Sequence, residues 1–431
     1  MQFEIAIVFV VSVSLLLLSL KLSNNRVGFY LLVSCFIYLT NFSWIPLNLA
    51  AGYFLGYEML PDDILTEGLW WSTFFYSTFV ILGYFGVRKI SPVPLTIYDD
   101  KSRQVLITSS LAFFLISIFG YVFLNGMSFS AGNYGHRLSS SAGNGIFMIF
   151  FFLFIPAAML ILMDRKNFKG LFLALAVSVV GGMLVYFTLG GSRNILAAGI
   201  IGVIIIGQRL SLVSLKSIFF AALLLIGFIN YLAFVRYGQG MSDDVIELGF
   251  RYLIDSLSPY DSFNKILEYF ESGDEYYKGF DYVMAQFNPL IPRAFWPEKP
   301  VIPLTNALFF TESILGIHRG TYIISPTLLG GVYIMGGGLG IFLGCLVVVF
   351  ITCALERMMF CNKPFLVLFS YTILPFSFFM VRESIELFFN KAILIFCTFL
   401  FIWLASMMIL FIFERMSQAN KLDKLTRVIS E

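Results

Sequence analysis

The chain reads as an all-α polytopic membrane protein of about eleven transmembrane helices with one large, partly helical extracytoplasmic loop. Three observations carry that reading. Hydrophobic residues make up 59% of the 431, while charged residues make up 13%, about half the usual globular share. The apolar residues fall into eleven runs, at 3–22, 27–49, 69–87, 105–124, 145–163, 170–189, 195–207, 218–235, 325–355, 364–381 and 388–413. Lysine and arginine gather in alternate connectors between those runs.

Most runs are long enough for a helix to cross a hydrocarbon layer ~30 Å thick. The seventh, 195–207, rises only ~20 Å and is expected to extend back through Gly190–Arg193 or to be partly re-entrant. Residues 3–22 carry Glu4 and lack a basic leader, so they read as a first span and not a cleaved signal.

Five connectors carry Lys21 and Arg26; Arg88, Lys89, Lys101 and Arg103; Arg165, Lys166 and Lys169; Arg209 and Lys216; and Arg357 and Lys363. The short connectors on the other side carry Arg137, Arg193, Arg382 and Lys391, so the bias is 13 against 4. Cationic connectors stay inside, which puts the C-terminus in the cytoplasm and the 236–324 loop outside. The organisation expected is eight spans over 1–235, the loop over 236–324, three spans over 325–413 and a cytoplasmic tail over 414–431.

Within the loop, Ser242 is a candidate cap for a helix through Val245, Leu248, Tyr252 and Leu253. Ser258-Pro259 reads as an N-cap followed by proline at the first helical position, opening a helix over 260–270. A proline-broken stretch, 288–303, follows.

Several function classes are set aside by composition. A net charge of +2 without a basic tract argues against a nucleic-acid partner. Cysteines at 35, 345, 353, 361 and 397 show no metal-ligand spacing and none lies in the loop, so neither a metal site nor a disulfide framework is expected. No ionisable residue sits mid-span, which disfavours a proton- or sodium-coupled transporter.

The outside cations run against the positive-inside bias and therefore call for a reason. Arg193 follows Gly190-Gly-Ser, Arg137 lies beside His136, and Arg251, Arg293, Lys299, His318 and Arg319 lie in the large loop. Arg382 precedes Glu383 and Glu386. Guanidinium groups bind phosphate oxygens bidentately, so several on one face suit a diphosphate. Each taken singly also suits an interfacial anchor or a carboxylate partner, Arg236 and Arg382 most of all. Arg193 stands apart because a glycine turn holds it near membrane depth, where an unpaired charge is costly. The glycines of Gly330-Gly-Val-Tyr-Ile-Met-Gly-Gly-Gly-Leu-Gly340 suit close helix packing. Glu58, Asp62, Asp63 and Glu67 read as a solvated rim.

Gly190-Gly-Ser-Arg193 followed by Asn-Ile-Leu-Ala-Ala resembles the Ser-Arg turn of O-antigen ligases and Wzy-type polymerases. His318 ahead of a glycine-rich span resembles that superfamily's late-loop histidine, although Arg319 stands where asparagine is usual. Pro292-Arg293 with Trp296-Pro297-Glu-Lys-Pro300 resembles a segment of oligosaccharide repeat unit polymerases.

The resemblance implies a GT-C-like, metal-independent membrane glycosyltransferase with no cofactor, acting in the bacterial inner membrane. It would polymerise undecaprenyl-diphosphate-linked repeat units of O-antigen, capsule or exopolysaccharide, amid membrane lipid and with a chain-length regulator as partner. His318 is then the candidate base and Glu383 its competitor. Arg193, Arg251 and Arg293 would hold the diphosphate, with Lys299, Arg319 and Arg382 nearby, and Trp296 would stack on sugar. The rivals are a ligase using a lipid A core acceptor, a lipid-linked oligosaccharide flippase, and a non-catalytic scaffold.

Overall fold

The computed structural model describes residues 2–23, 26–56, 65–91, 98–126, 145–189, 193–237, 245–273, 279, 281–285, 291, 295–296, 298, 305–318 and 323–430. Among these residues the regular elements are all helical. The first eight of the expected spans become α1 (Gln2–Leu22), α2 (Phe29–Phe42) with α3 (Trp44–Leu55), α4 (Leu65–Val87), α5 (Asp100–Asn125), α6 (Gly145–Phe150) with α7 (Phe154–Arg165), α8 (Phe168–Thr188), α9 (Arg193–Arg209) and α10 (Leu215–Tyr237). The loop contributes α11 (Val245–Leu257), α12 (Tyr260–Glu271), α13 (Asp281–Ala285) and α14 (Asn306–Phe309). The rest is α15 (Thr327–Met359), α16 (Pro364–Ile373), α17 (Ser377–Arg382) and α18 (Ile385–Ser430).

Among the described residues seven helices are long and apolar enough to cross a membrane, or up to eight if bent α2 and α3 form one span. The expected single helix at 27–49 is therefore bent, by 44°. Helix α4, which carries Trp70, Trp71, Tyr76 and Tyr84, is not among the seven. The described apolar parts of α9 and α10, Asn194–Arg209 and Leu215–Phe228, are short. Phe123, Leu224 and Phe350 are 89%, 77% and 73% exposed. A soluble monomer seldom offers water so many large apolar side chains, so these faces are lipid-facing. The chain is a multi-pass membrane protein.

Connectors grouped by their charge meet at one end of the bundle. Arg26 Nη1 donates to Ile90 O, Arg209 Nη1 donates to Met359 O at 2.9 Å, and Arg103 Nε donates to Asp164 Oδ1 at 2.7 Å. At that end the buried carboxylate of Glu356 accepts the Tyr30 N–H at 3.2 Å and caps the first turn of α2. Gly28 leaves the room for it, since a Cβ there would lie 2.2 Å from Glu356 Oε1.

The loop helices pack on the opposite end. Ile266 of α12 meets Gly330, and Asn264 meets Gly68. Ser258 does not cap α12: Pro259 holds the cap position, and the Ser258 hydroxyl donates to Thr40 O at 2.6 Å, fastening the loop to α2. The position of Ser242 lies outside the described residues.

The glycine series does pack closely, with Gly338 set against Trp71. It also breaks α15. Gly336 and Gly337, the latter at φ 58°, are non-helical, and the chain bends so that Val332 lies against Gly340 and Gly344. Tyr333 and Ile334, ahead of the break, join a cluster with Ile266, Tyr282, Phe309 and Phe310 of the loop.

Candidate active site

The loop end of the bundle holds a tight corner between α17 and α18, residues 382–386. Its turn forms because the Glu383 and Ser384 N–H groups both bond Phe379 O as α17 ends. Ser325, just before α15, donates its hydroxyl to Arg382 O at 2.5 Å and to Glu383 O at 3.2 Å. Arg382 Nε donates to Ser256 O at 3.2 Å, near the end of α11. Two chain segments far apart in sequence thus converge on this turn.

The corner gathers two acids, Glu383 and Glu386, and two cations, Arg382 and Lys391. Burial pushes the Glu383 carboxyl above the ordinary carboxylate range, and Glu386 pushes the same way, while Arg382 and Lys391 oppose them. Lys391 lies over the Phe152 ring, 5.6 Å from its centroid, and so projects toward the tight turn between α6 and α7.

Glu386 is 0% exposed and its Oε1 accepts the Asn306 N–H at 3.0 Å. The Ser384 hydroxyl and the Asn306 amide adjoin the same carboxylate. Thr327, two residues past Ser325, has φ 66° although it is β-branched, a costly conformation. Its N–H reaches Ser325 Oγ at 3.3 Å.

His318 is exposed and follows a π-helical turn, Phe310–Ile314, that continues α14. Thr311 gathers this segment, since its carbonyl accepts the Ile317 N–H and its hydroxyl accepts the Ile324 N–H at 2.9 Å. One residue after Ile324 comes Ser325, on the corner. The structure therefore ties the His318 segment to Arg382 and Glu383.

Arg193 is the first residue of α9, and its glycine turn at 190–192 lies outside the described residues. The α8–α9 hairpin is drawn close by Gly182, whose Cβ would lie 2.7 Å from Leu196 Cα. Helix α9 runs antiparallel to the α16–α17 pair: Arg209 Nη1 donates to Tyr371 Oη at 2.6 Å, and Gly202 faces Pro375. From that shared contact Arg193 is nine residues and Arg382 seven residues toward the same end, ~13 and ~10 Å of helical rise. Both stand at the loop end.

Arg251 is turned elsewhere. Its guanidinium pairs with Glu247 at 2.6 Å on an exposed face of α11. Arg293, Lys299 and Arg319 lie outside the described residues, as do Arg137 and His136. Trp296 is partly buried.

The whole length of the chain bears on what this corner does. The family model of the WzyE protein, O-antigen assembly polymerase, matches residues 1–426. The chain belongs to that family. It is thus a membrane-spanning polymerase of polysaccharide biosynthesis, with the glycosyltransferase-like chemistry that polymerising a glycan requires. No solved structure matches it.

Within this family member, the sequence marks Glu386 and Lys391 by charge alone. Glu386 read as a neighbour for Arg382, because a sequence shows partners a turn away and not 80 positions away. Its one local signal is an acid in the first turn of an apolar helix. Ser325 and Asn306 carry no signal of their own.

Proposed function

We propose that the chain polymerises undecaprenyl-diphosphate-linked repeat units, moving the growing glycan onto a sugar hydroxyl of the next lipid-linked unit. The acceptor oxygen attacks the anomeric carbon of the donor sugar, the bond to the diphosphate breaks, and the diphosphate leaves on its polyprenyl tail. His318 takes the acceptor proton, with Glu383 as the competing base. The leaving diphosphate is stabilised by cations from Arg193, Arg382, Arg293, Lys299 and Arg319, without a metal ion. Arg251 would have to leave Glu247 to take part.

The observation that carries this reading is the tie between the His318 segment and the Arg382–Glu383 turn, at the end where α9 begins with Arg193. The lysine and arginine bias supports an outside position for that end, where lipid-linked units would be joined. The family's description as an assembly polymerase favours this over transfer to a lipid A core or lipid flipping.

Arg193 supplies the test. Arg193→Lys keeps the charge and loses the planar fork, so it is expected to impair polymer formation. Arg193→Ala is expected to leave single repeat units in place of long chains at unchanged protein level. Normal-length glycan from both variants would remove the diphosphate site from the start of α9.

A further inference from the structure

Nothing in the transfer chemistry above uses Glu386, yet it is among the most enclosed acids of the molecule, at 0% exposure in the first turn of α18. Its Oε1 accepts the main-chain N–H of Asn306, the first residue of α14. At the far side of the same segment, Ser325 donates to the carbonyls of Arg382 and Glu383. Segment 306–325, which carries His318 and Arg319, therefore begins and ends on residues 382–386.

Between the two roots, Thr311 closes the neck by bonding Ile317 and Ile324. Asn306 and Ser384 are both wholly buried, and they crowd against Gly331 of α15. A Cβ on Gly331 would lie 3.2 Å from Asn306 Nδ2 and 3.2 Å from Ser384 Cβ. The first root thus has a carboxylate acceptor on one side and a glycine clearance on the other.

We infer that Glu386 is a positioning residue, which pins the first root of the histidine-bearing loop so that His318 meets the acceptor at the Arg382–Glu383 turn. The inference rests on the proposed role of His318. A main-chain N–H left buried without its acceptor is costly. Loss of the acceptor releases the root, while the second root at Ser325 keeps the loop attached. The loop then samples many positions, and the base is in place for a smaller share of the time.

The experiment uses the full-length protein with Ala307, 4% exposed and next to Asn306, replaced by cysteine in a background lacking the native cysteines. Its labelling by a membrane-impermeant maleimide reports release of the root without reference to activity. Glu386→Ala is expected to raise the labelling rate about tenfold and to lower kcat by a similar factor, with KM for the lipid-linked unit unchanged. Glu386→Gln keeps an acceptor oxygen and should restore both. Gly331→Ala, which pushes the root by a few tenths of an ångström and leaves Glu386 alone, should fall between them. It also carries the test if Glu386→Ala is lost from the membrane.

Unchanged labelling in both Glu386→Ala and Gly331→Ala overturns the pinned root and leaves the polymerase reading standing. Glu386→Gln as impaired as Glu386→Ala overturns the acceptor role. Faster labelling with normal polymer overturns the link between root and catalysis. Normal polymer from His318→Ala overturns the base assignment, and with it the catalytic half of this inference, while the labelling result for the root is unaffected.

Discussion

Gly28→Ala is the perturbation whose cost the structure defines most closely. The added Cβ would sit 2.2, 2.5 and 2.6 Å from Oε1, Oε2 and Cδ of Glu356. Ordinary contact is wider by about 1 Å, so the carboxylate has to leave. Its hydrogen bond to the Tyr30 N–H, already 3.2 Å, goes with it. Losing a helix cap costs ~0.5–2 kcal/mol, and a buried polar group left unsatisfied costs ~1–3 kcal/mol. Against this, alanine restricts the unfolded chain and returns ~0.4–1 kcal/mol, because Gly28 has an extended backbone, φ −129° and ψ −173°, open to any residue. The net expectation is a loss of about 1–3 kcal/mol. Denaturant or thermal inactivation of the purified protein measures it, in a double-mutant cycle with Glu356→Ala. Once the carboxylate is gone the Cβ has nothing to strike, so Gly28→Ala should cost nothing further there. An equal penalty in both backgrounds would refute the steric argument, and polymer made per folded molecule should stay unchanged because the corner is at the other end.

Two more expectations concern the corner and the loop. Burial raises the Glu383 carboxyl, so the folded protein holds that proton more tightly than the unfolded chain does. Its linked stability is then present at low pH and lost as pH rises through the raised value. If Glu383 is the base, the rate falls on the acid side at a pH above the usual carboxylate range, and Glu383→Gln abolishes turnover while His318→Ala does not. A limb that persists in Glu383→Gln assigns it to another group. Ser272→Cys, exposed and beside Gly273 at the end of α12, should react with an impermeant thiol reagent in spheroplasts once the native cysteines are replaced. Labelling only after membrane disruption would refute the outward placement of the loop.

The apolar runs were legible because a hydrocarbon solvent demands long uninterrupted helices, and each run does become a helix or a broken pair. Helix α12 was legible for another reason, its apolar Phe263, Ile266, Leu267 and Phe270 at helical spacing. What stayed hidden are events decided by distant partners. Glycine spacing in α15 suits packing and breaking equally, and only Val332 against Gly340 shows that the helix folds back. Ser258 has the local pattern of a cap, but Thr40 O, 218 positions away, claims its hydroxyl. Arg251 looked free for a ligand until Glu247, one turn earlier, took it. At the corner, Arg382 and Glu383 stood out by charge, while the serine and asparagine that shape their surroundings did not.

The break at Gly336 and Gly337 bears on how the protein is made. Unbroken, the 33 residues of α15 would reach ~50 Å, far beyond a hydrocarbon layer of ~30 Å. Residues 338–359 alone make a span of fitting length, and a translocating channel can release them sideways into lipid at once. Residues 327–335 cannot settle then, because Tyr333 and Ile334 pack on the side chains of α12, α13 and α14. The two glycines thus separate a rear segment long enough to partition into lipid by itself from a front segment that packs on the loop helices. A chain whose loop misfolds would leave Tyr333 and Ile334 without the loop side chains they pack on.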